Sequence, residues 1–143
     1  MNHAESQIQI SIAGYLAVAL KGLPATFFAV PNGGKRASKV DRDGRRYSPE
    51  AGRMRAEGVR AGVADIIVMT GEPLRSLKIG LEVKAPKGVV SKDQKEWRTD
   101  FERAGGIYFV VRSIDDVAEA LVKVGVPIRA RPSTRPGCLY DVT

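Results

Sequence analysis

Cysteine, histidine and long apolar runs are scarce in this 143-residue sequence, which has one cysteine, Cys138, and one histidine, His3. A lone cysteine excludes an internal disulfide and a cysteine-based metal cluster. A terminal, solvated histidine argues against histidine metal sites and against Ser-His catalysis. The longest apolar run, near residues 13–20, is too short to cross a bilayer, and no basic leader precedes an apolar core. We therefore expect a cytoplasmic protein with no membrane partner.

Positive charge is in excess, since 23 lysines and arginines stand against 16 acids and give a net charge of +7. The excess favours an anionic partner, although a merely basic soluble protein has the same composition. We predict one domain over residues 1–126 with a basic insertion at about 35–60, and an irregular basic tail over 127–143. The insertion either binds nucleic acid or is an exposed loop without a partner. The candidate DNA-binding residues are Asn32, Gly33, Lys35, Arg36, Arg45, Arg46, Arg53 and Arg60.

Hydrophobic spacing predicts an α/β chain. Apolar residues at helical spacing predict a helix over residues 4–20, and β-branched or aromatic runs predict strands near 26–30, 65–69, 78–84 and 107–111. Further helices are expected after Ser48, which Pro49 and Glu50 follow as first-turn residues, after Ser91, which opens a capping box with Gln94, and after Ser113. The αβββαβ order predicts a mixed central sheet flanked by helices, because a strand-helix-strand crossover makes its two strands parallel. The last strand is apolar throughout, which predicts a central position.

The stretch from Gly62 to Lys84 brings acids and a lysine together on one predicted hairpin. If Pro73 occupies the second position of a four-residue turn, Asp65 lies across from Glu82. Strand alternation places Glu82 and Lys84 on the same face, which we expect to be solvated while the opposite face is buried.

Two carboxylates with Cβ atoms roughly 5 Å apart repel each other and need a counter-ion. A hard divalent cation such as Mg²⁺ binds one or two carboxylates and uses its remaining positions for water and phosphate oxygens. Lys84 would then act on a phosphate oxygen or a water, as in metal-assisted phosphodiester hydrolysis. The alternative is structural: Asp65 caps a strand start, while Glu82 and Lys84 are ordinary solvated strand charges.

The order of Asp65 and Glu82-x-Lys84 around a turn resembles the signature of the PD-(D/E)xK nuclease superfamily, and the chain resembles its VRR-NUC family. The further matching features are Glu5, Pro31-Asn32-Gly33-Gly34, Gly58-Val59-Arg60-Ala61-Gly62-Val63-Ala64-Asp65 and Ser91-x-x-Gln94. One departure is Ala64, where that family commonly has a proline. The resemblance implies a restriction-endonuclease-like core, with metal ligands from Asp65, Glu82 and the Val83 carbonyl. It also implies accessory roles for Glu5, as a ligand to a second metal, and for Gln94.

The expected function is that of a Mg²⁺-dependent DNA endonuclease, with Mn²⁺ able to substitute. The resemblance further implies a structure-specific enzyme that cuts four-way junctions or flaps as a homodimer, as in DNA repair or recombination. Two alternatives stay open, namely a non-catalytic basic DNA-binding module on the same fold and a sequence-specific nuclease of restriction type.

Overall fold

The computed structural model describes residues 2–31, 39–40, 42–128, 130–132 and 140–142. Within them four helices and eight strands follow one another. The helices are α1 (His3–Ala19), α2 (Pro49–Ala56), α3 (Lys92–Arg103) and α4 (Ile114–Lys123). The strands are β1 (Ala25–Ala29), β2 (Lys39–Val40), β3 (Arg46–Tyr47), β4 (Ile66–Thr70), β5 (Lys78–Val83), β6 (Ile107–Val111), β7 (Ala130–Pro132) and β8 (Tyr140–Val142).

The central sheet has the strand order β1-β4-β5-β6. The β1-β4 and β4-β5 pairs are antiparallel, whereas β5 and β6 are parallel because α3 carries the chain back across the sheet. This mixed sheet with helices on both sides confirms the predicted α/β, restriction-endonuclease-like architecture. Strand β6 lies at the edge of the sheet formed by these residues, so its predicted central position was wrong.

The main core lies between one face of the sheet and helices α1 and α4. Ile79, Leu81 and Val83 of β5 point into it and meet apolar side chains of both helices, among them Tyr15 and Leu121. These positions are the ones that strand alternation predicted to be buried. No helix among the described residues is long and apolar enough to cross a bilayer.

Helix α3 covers the other face of the sheet. Trp97 and Phe101 stack with their ring centroids 4.5 Å apart, and a Cβ atom added to Gly80 would lie 3.0 Å from the Phe101 ring. Glycine at this position therefore allows the helix to approach β5 closely. The prediction of a solvated face was wrong, because α3 buries the face that carries Glu82 and Lys84.

The turn between β4 and β5 has the register that the sequence predicted. Ile66 pairs with Leu81 and Ile67 with Gly80, so the next opposed positions are Asp65 and Glu82. At the turn, the Thr70 hydroxyl accepts a hydrogen bond from the Leu77 amide at 3.0 Å, and the Thr70 amide donates to the Leu77 carbonyl. These bonds close the hairpin and fix the alignment of the two acids.

Both the insertion and the tail contain regular structure. Strands β2 and β3 pair as a small ribbon, and α2 begins at Pro49, with the Ser48 side chain accepting from the Ala51 amide. The tail, predicted to be irregular, contains the antiparallel pair β7-β8, and Ile128 belongs to the core. Strand β7 contacts α1 and α4. Strands of three residues carry too little apolar alternation to be recognised from sequence.

Candidate active site

Two buried carboxylates from adjacent strands form the centre of the site. Asp65 directly precedes β4, and its Oδ2 accepts a hydrogen bond from the Val83 amide at 2.8 Å. Glu82 of β5 is only 1% exposed and Asp65 6%. The Asp65 carbonyl accepts from the Val30 amide at 2.9 Å, which ties this position to the end of β1. Backbone pairing on both sides therefore holds the two acids side by side.

Lys84 directly follows β5 and lies on the same face of the sheet as Glu82. Its Nζ atom lies 3.8 Å from Oε1 of Glu82, and the residue is 8% exposed. Its backbone amide donates to the Val111 carbonyl at 3.0 Å, which continues the parallel pairing with β6. The alternative of ordinary solvated strand charges does not fit this placement, because Glu82 and Lys84 are both buried.

Gln94 serves the helix terminus and the acids at the same time. Its side-chain oxygen accepts from the Ser91 amide at 2.8 Å and completes the capping box of α3. Its amide nitrogen donates to Oε1 of Glu82 at 2.5 Å. From the sequence alone, helix capping and a place in the site compete for Gln94. The structure shows both, because each uses a different end of the side-chain amide.

A cavity of about 190 Å³ opens between these side chains. Asp65, Glu82 and Lys84 line it from the sheet, Gln94 from α3, and Glu5 from the first turn of α1. Oε1 of Glu5 lies 3.5 Å from the Ala85 amide, a long contact. The structure therefore brings together around one cavity all five side chains that were predicted from the sequence to form the site.

Two further parts of the cavity wall were not anticipated, the loop around Gly62 and the start of α3 around Asp93. Gly62 has a φ of +82°, and a Cβ atom there would lie 2.3 Å from the Asp93 carbonyl oxygen. Only glycine permits both the backbone conformation and the close approach. The glycine was visible within the Gly58–Asp65 motif, but its partner 31 residues away in sequence was not.

Burial and mutual repulsion disfavour the ionised forms of both carboxyl groups. Burial raises the pKa of Glu82 from its ordinary 4.5 to about 8, and the neighbouring Asp65 carboxylate contributes to the same shift. Burial also raises the pKa of Asp65, opposed by its hydrogen bond from the Val83 amide. The Lys84 ammonium group lowers the pKa of both carboxyl groups and so partly offsets these shifts.

The donor set fits a hard divalent cation. The described residues contain no group of three or more His, Cys, Asp or Glu side chains placed to hold a metal. Two carboxylates suffice for Mg²⁺, which keeps several waters. In the described part of the chain, nothing donates a hydrogen bond to the buried Oε2 of Glu82, and this leaves an acceptor that a cation would satisfy. The Asp65–Glu82 pair is therefore a candidate metal centre.

Only some of the candidate DNA-binding residues lie in the part of the chain that the structure describes. Asn32, Gly33, Lys35 and Arg36 lie outside the described residues, as does the side chain of Arg46. Arg45 is exposed, and Arg53 is exposed with its Nε 3.7 Å from a Glu57 oxygen. Arg60 pairs with Asp100 of α3 at 2.6 Å, so it also anchors the loop before Asp65.

A restriction-endonuclease-like sheet with two acids and a lysine on adjacent strands is typical of proteins of the nuclease type. A model of the VRR-NUC domain matches residues 29–115, which include Asp65, Glu82, Lys84 and Gln94 and exclude Glu5. The chain belongs to the VRR-NUC family.

The solved structures include a VRR_NUC domain protein that is 19% identical to this chain. The two superpose with a TM-score of 0.55, over 89% of this chain and 92% of that one. At this level of identity the likeness shows the fold alone. No curated protein matches the chain.

Proposed function

We propose that the protein is a Mg²⁺-dependent endonuclease that hydrolyses DNA phosphodiester bonds, with Mn²⁺ able to replace Mg²⁺. The observation that carries the proposal is the buried Asp65–Glu82 pair with the Lys84 ammonium group 3.8 Å from Glu82. The three groups line a single cavity. Buried charges are costly to maintain, and such an arrangement is typical of sites where the charges are used.

In this proposal Asp65, Glu82 and the Val83 carbonyl hold the metal, and Glu5, which lines the same cavity, assists a second ion. When bound, the ion would polarise the phosphoryl group and make a water more acidic. Lys84 donates hydrogen bonds to the attacking water or to a phosphate oxygen and offsets the negative charge that develops there. Gln94 fixes the orientation of the Glu82 carboxylate through the 2.5 Å hydrogen bond.

We further propose that the basic insertion and the Pro31–Gly34 segment contact the DNA backbone. Arg45 and Arg53 are exposed, and each phosphate neutralised by such residues makes binding more sensitive to salt. A preference for four-way junctions or flaps, and assembly as a homodimer, follow from the resemblance to small VRR-NUC proteins. A two-fold axis would place two sites for the paired cuts that a four-way junction requires.

Cleavage of nicked, flap and four-way DNA in Mg²⁺ or Mn²⁺ tests the proposal. Asp65→Ala and Lys84→Ala should each reduce the cleavage rate on the order of 100-fold or more. Lys123→Ala, which removes an exposed lysine from the last turn of α4, is the matched control and should cut at the wild-type rate. Equal rates for wild type and Lys84→Ala would refute the mechanism.

The same assay separates the alternatives. Salt-sensitive DNA binding without metal-dependent cutting would identify a non-catalytic binding module, and discrete fragments from linear duplex DNA would identify a sequence-specific nuclease. Light scattering at micromolar concentration, with and without DNA, tests the homodimer. A monomer under both conditions would contradict that part of the proposal.

A further inference from the structure

Arg112, which directly follows β6, directs its side chain at the segment that follows Lys84. Its Nη1 atom donates hydrogen bonds to the carbonyls of Ala85 and Gly88, the latter at 3.1 Å, and lies 3.4 Å from the Pro86 carbonyl. Its backbone amide donates to Oδ2 of Asp116 at 2.8 Å. The guanidinium group therefore holds three carbonyls of one short segment, from a backbone that is itself anchored to α4.

The segment held by Arg112 packs on the catalytic lysine. The Gly88 amide donates to the Ala85 carbonyl at 2.9 Å, which closes a tight turn. A Cβ atom added to Gly88 would lie 3.3 Å from Cδ of Lys84 and 3.2 Å from Oε1 of Glu5. The turn is thus in contact with the aliphatic part of Lys84 and with the Glu5 carboxylate.

We propose that Arg112 is a positioning residue for Lys84. By holding the turn from Ala85 to Gly88 against the lysine side chain, it restricts a chain with four rotatable bonds and keeps its ammonium group beside Glu82. The consequence for catalysis rests on the proposed nuclease function. The consequence for the conformation of Lys84 does not.

Replacing Arg112 should lower the rate of the chemical step and leave DNA affinity nearly unchanged, because its donors are directed at protein carbonyls. We expect kcat of Arg112→Ala to fall about 10- to 100-fold, the cost of slightly misplacing a catalytic group, while KM for DNA stays close to that of wild type. Arg112→Lys keeps the charge and a single donor nitrogen but places that nitrogen one bond nearer the backbone, so it should lose less kcat than Arg112→Ala. Millimolar guanidinium ion should partly restore the activity of Arg112→Ala.

Chemical labelling gives a readout that is independent of DNA cleavage. Reductive methylation followed by mass spectrometry measures the accessibility of each lysine in the metal-free protein. Lys84 is 8% exposed and should react slowly in wild type. It should react severalfold faster in Arg112→Ala, and guanidinium ion should slow it again.

Two more variants keep the test decisive. Gly88→Ala keeps Arg112 and places a methyl group 3.2 to 3.3 Å from the Ala85 carbonyl, Glu5 and Lys84, so that the turn or the lysine must shift. Lys84 should also be labelled faster in this variant, and kcat should fall. Arg75→Ala is the matched control, because it removes an exposed arginine from the β4-β5 turn at the opposite end of the hairpin. It should match wild type in both measurements.

The outcomes distinguish this inference from the function on which it draws. Unchanged Lys84 labelling in Arg112→Ala, or a raised KM with unchanged kcat, would overturn the positioning role. If wild type cuts no DNA but Lys84 labelling rises in Arg112→Ala and Gly88→Ala, the nuclease proposal fails while the structural role of Arg112 stands.

Discussion

Glu82→Gln should stabilise the metal-free protein while abolishing its function. The substitution keeps the shape and size of a side chain that is 1% exposed and removes a buried negative charge beside Asp65. The residue contributes poorly to stability when ionised, because burial and the neighbouring carboxylate both disfavour its charge. Glutamine carries no charge at any pH, so the difference between the two proteins should depend on pH.

The sign of this dependence follows from the direction of the pKa shift. The pKa of Glu82 is about 8 in the folded protein and 4.5 ordinarily. Below pH 4.5 the Glu82 carboxyl is protonated in both the folded and the unfolded chain, and wild type has the full stability that the neutral Glu82 side chain provides. As the pH rises towards 8, the unfolded chain has lost the proton that the folded chain retains, so the free energy of unfolding of wild type falls. The raised pKa of Asp65 acts in the same direction.

The size of the effect is measurable. One pKa unit corresponds to about 1.4 kcal/mol, so the advantage of Glu82→Gln should reach several kcal/mol above pH 8. For a domain of this size that corresponds to a melting temperature higher by on the order of 10 °C. Urea denaturation at pH 5, 7 and 9 in the presence of EDTA provides the free energies of unfolding.

Addition of Mn²⁺ should reverse the order of stability. A ligand that binds only the folded state stabilises it according to its concentration and affinity, and only wild type should benefit. A pH-independent difference between the two proteins in EDTA, or equal stabilisation of both by Mn²⁺, would refute the reasoning.

Two other substitutions test how the site is held. Gly62→Ala should lower the free energy of unfolding by roughly 2 to 5 kcal/mol, because a Cβ atom would meet the Asp93 carbonyl in a positive-φ backbone. Gly58→Ala, with a positive φ but open space around it, should lose only about 1 to 2 kcal/mol in the same denaturation assay, and equal losses would contradict the packing argument. Gln94→Glu keeps the capping box but replaces the donor to Glu82 by another acid. It should cut DNA at least about 10-fold more slowly with unchanged helix content by circular dichroism, and wild-type cleavage would refute the role of the amide.

The local chemistry of the hairpin could be predicted because its causes lie within the hairpin. Alternation along β5 fixed which residues share a face, and the position of the turn fixed the register that sets Asp65 opposite Glu82. Capping residues likewise fixed the starts of α2, α3 and α4 near Ser48, Ser91 and Ser113. These features depend on interactions between residues close in sequence.

What escaped prediction depends on contacts between distant segments. Burial of the Glu82 face results from α3 packing over Gly80, and alternation alone does not reveal whether a helix will cover a polar face. The apolar run of β6 indicated a buried strand but did not distinguish a central position from an edge. The contact of Gly62 with Asp93 and the hold of Arg112 on the turn after Lys84 join residues that are far apart in the chain. Only the folded arrangement reveals them.

Calorimetric titration with Mn²⁺ tests most directly whether Asp65 and Glu82 form a shared metal centre. Wild type should release or absorb heat in a saturable binding isotherm. Asp65→Asn and Glu82→Gln, which retain the shape of the cavity, should show no heat beyond that of dilution. No binding by wild type, or the same affinity in all three proteins, would contradict the central claim.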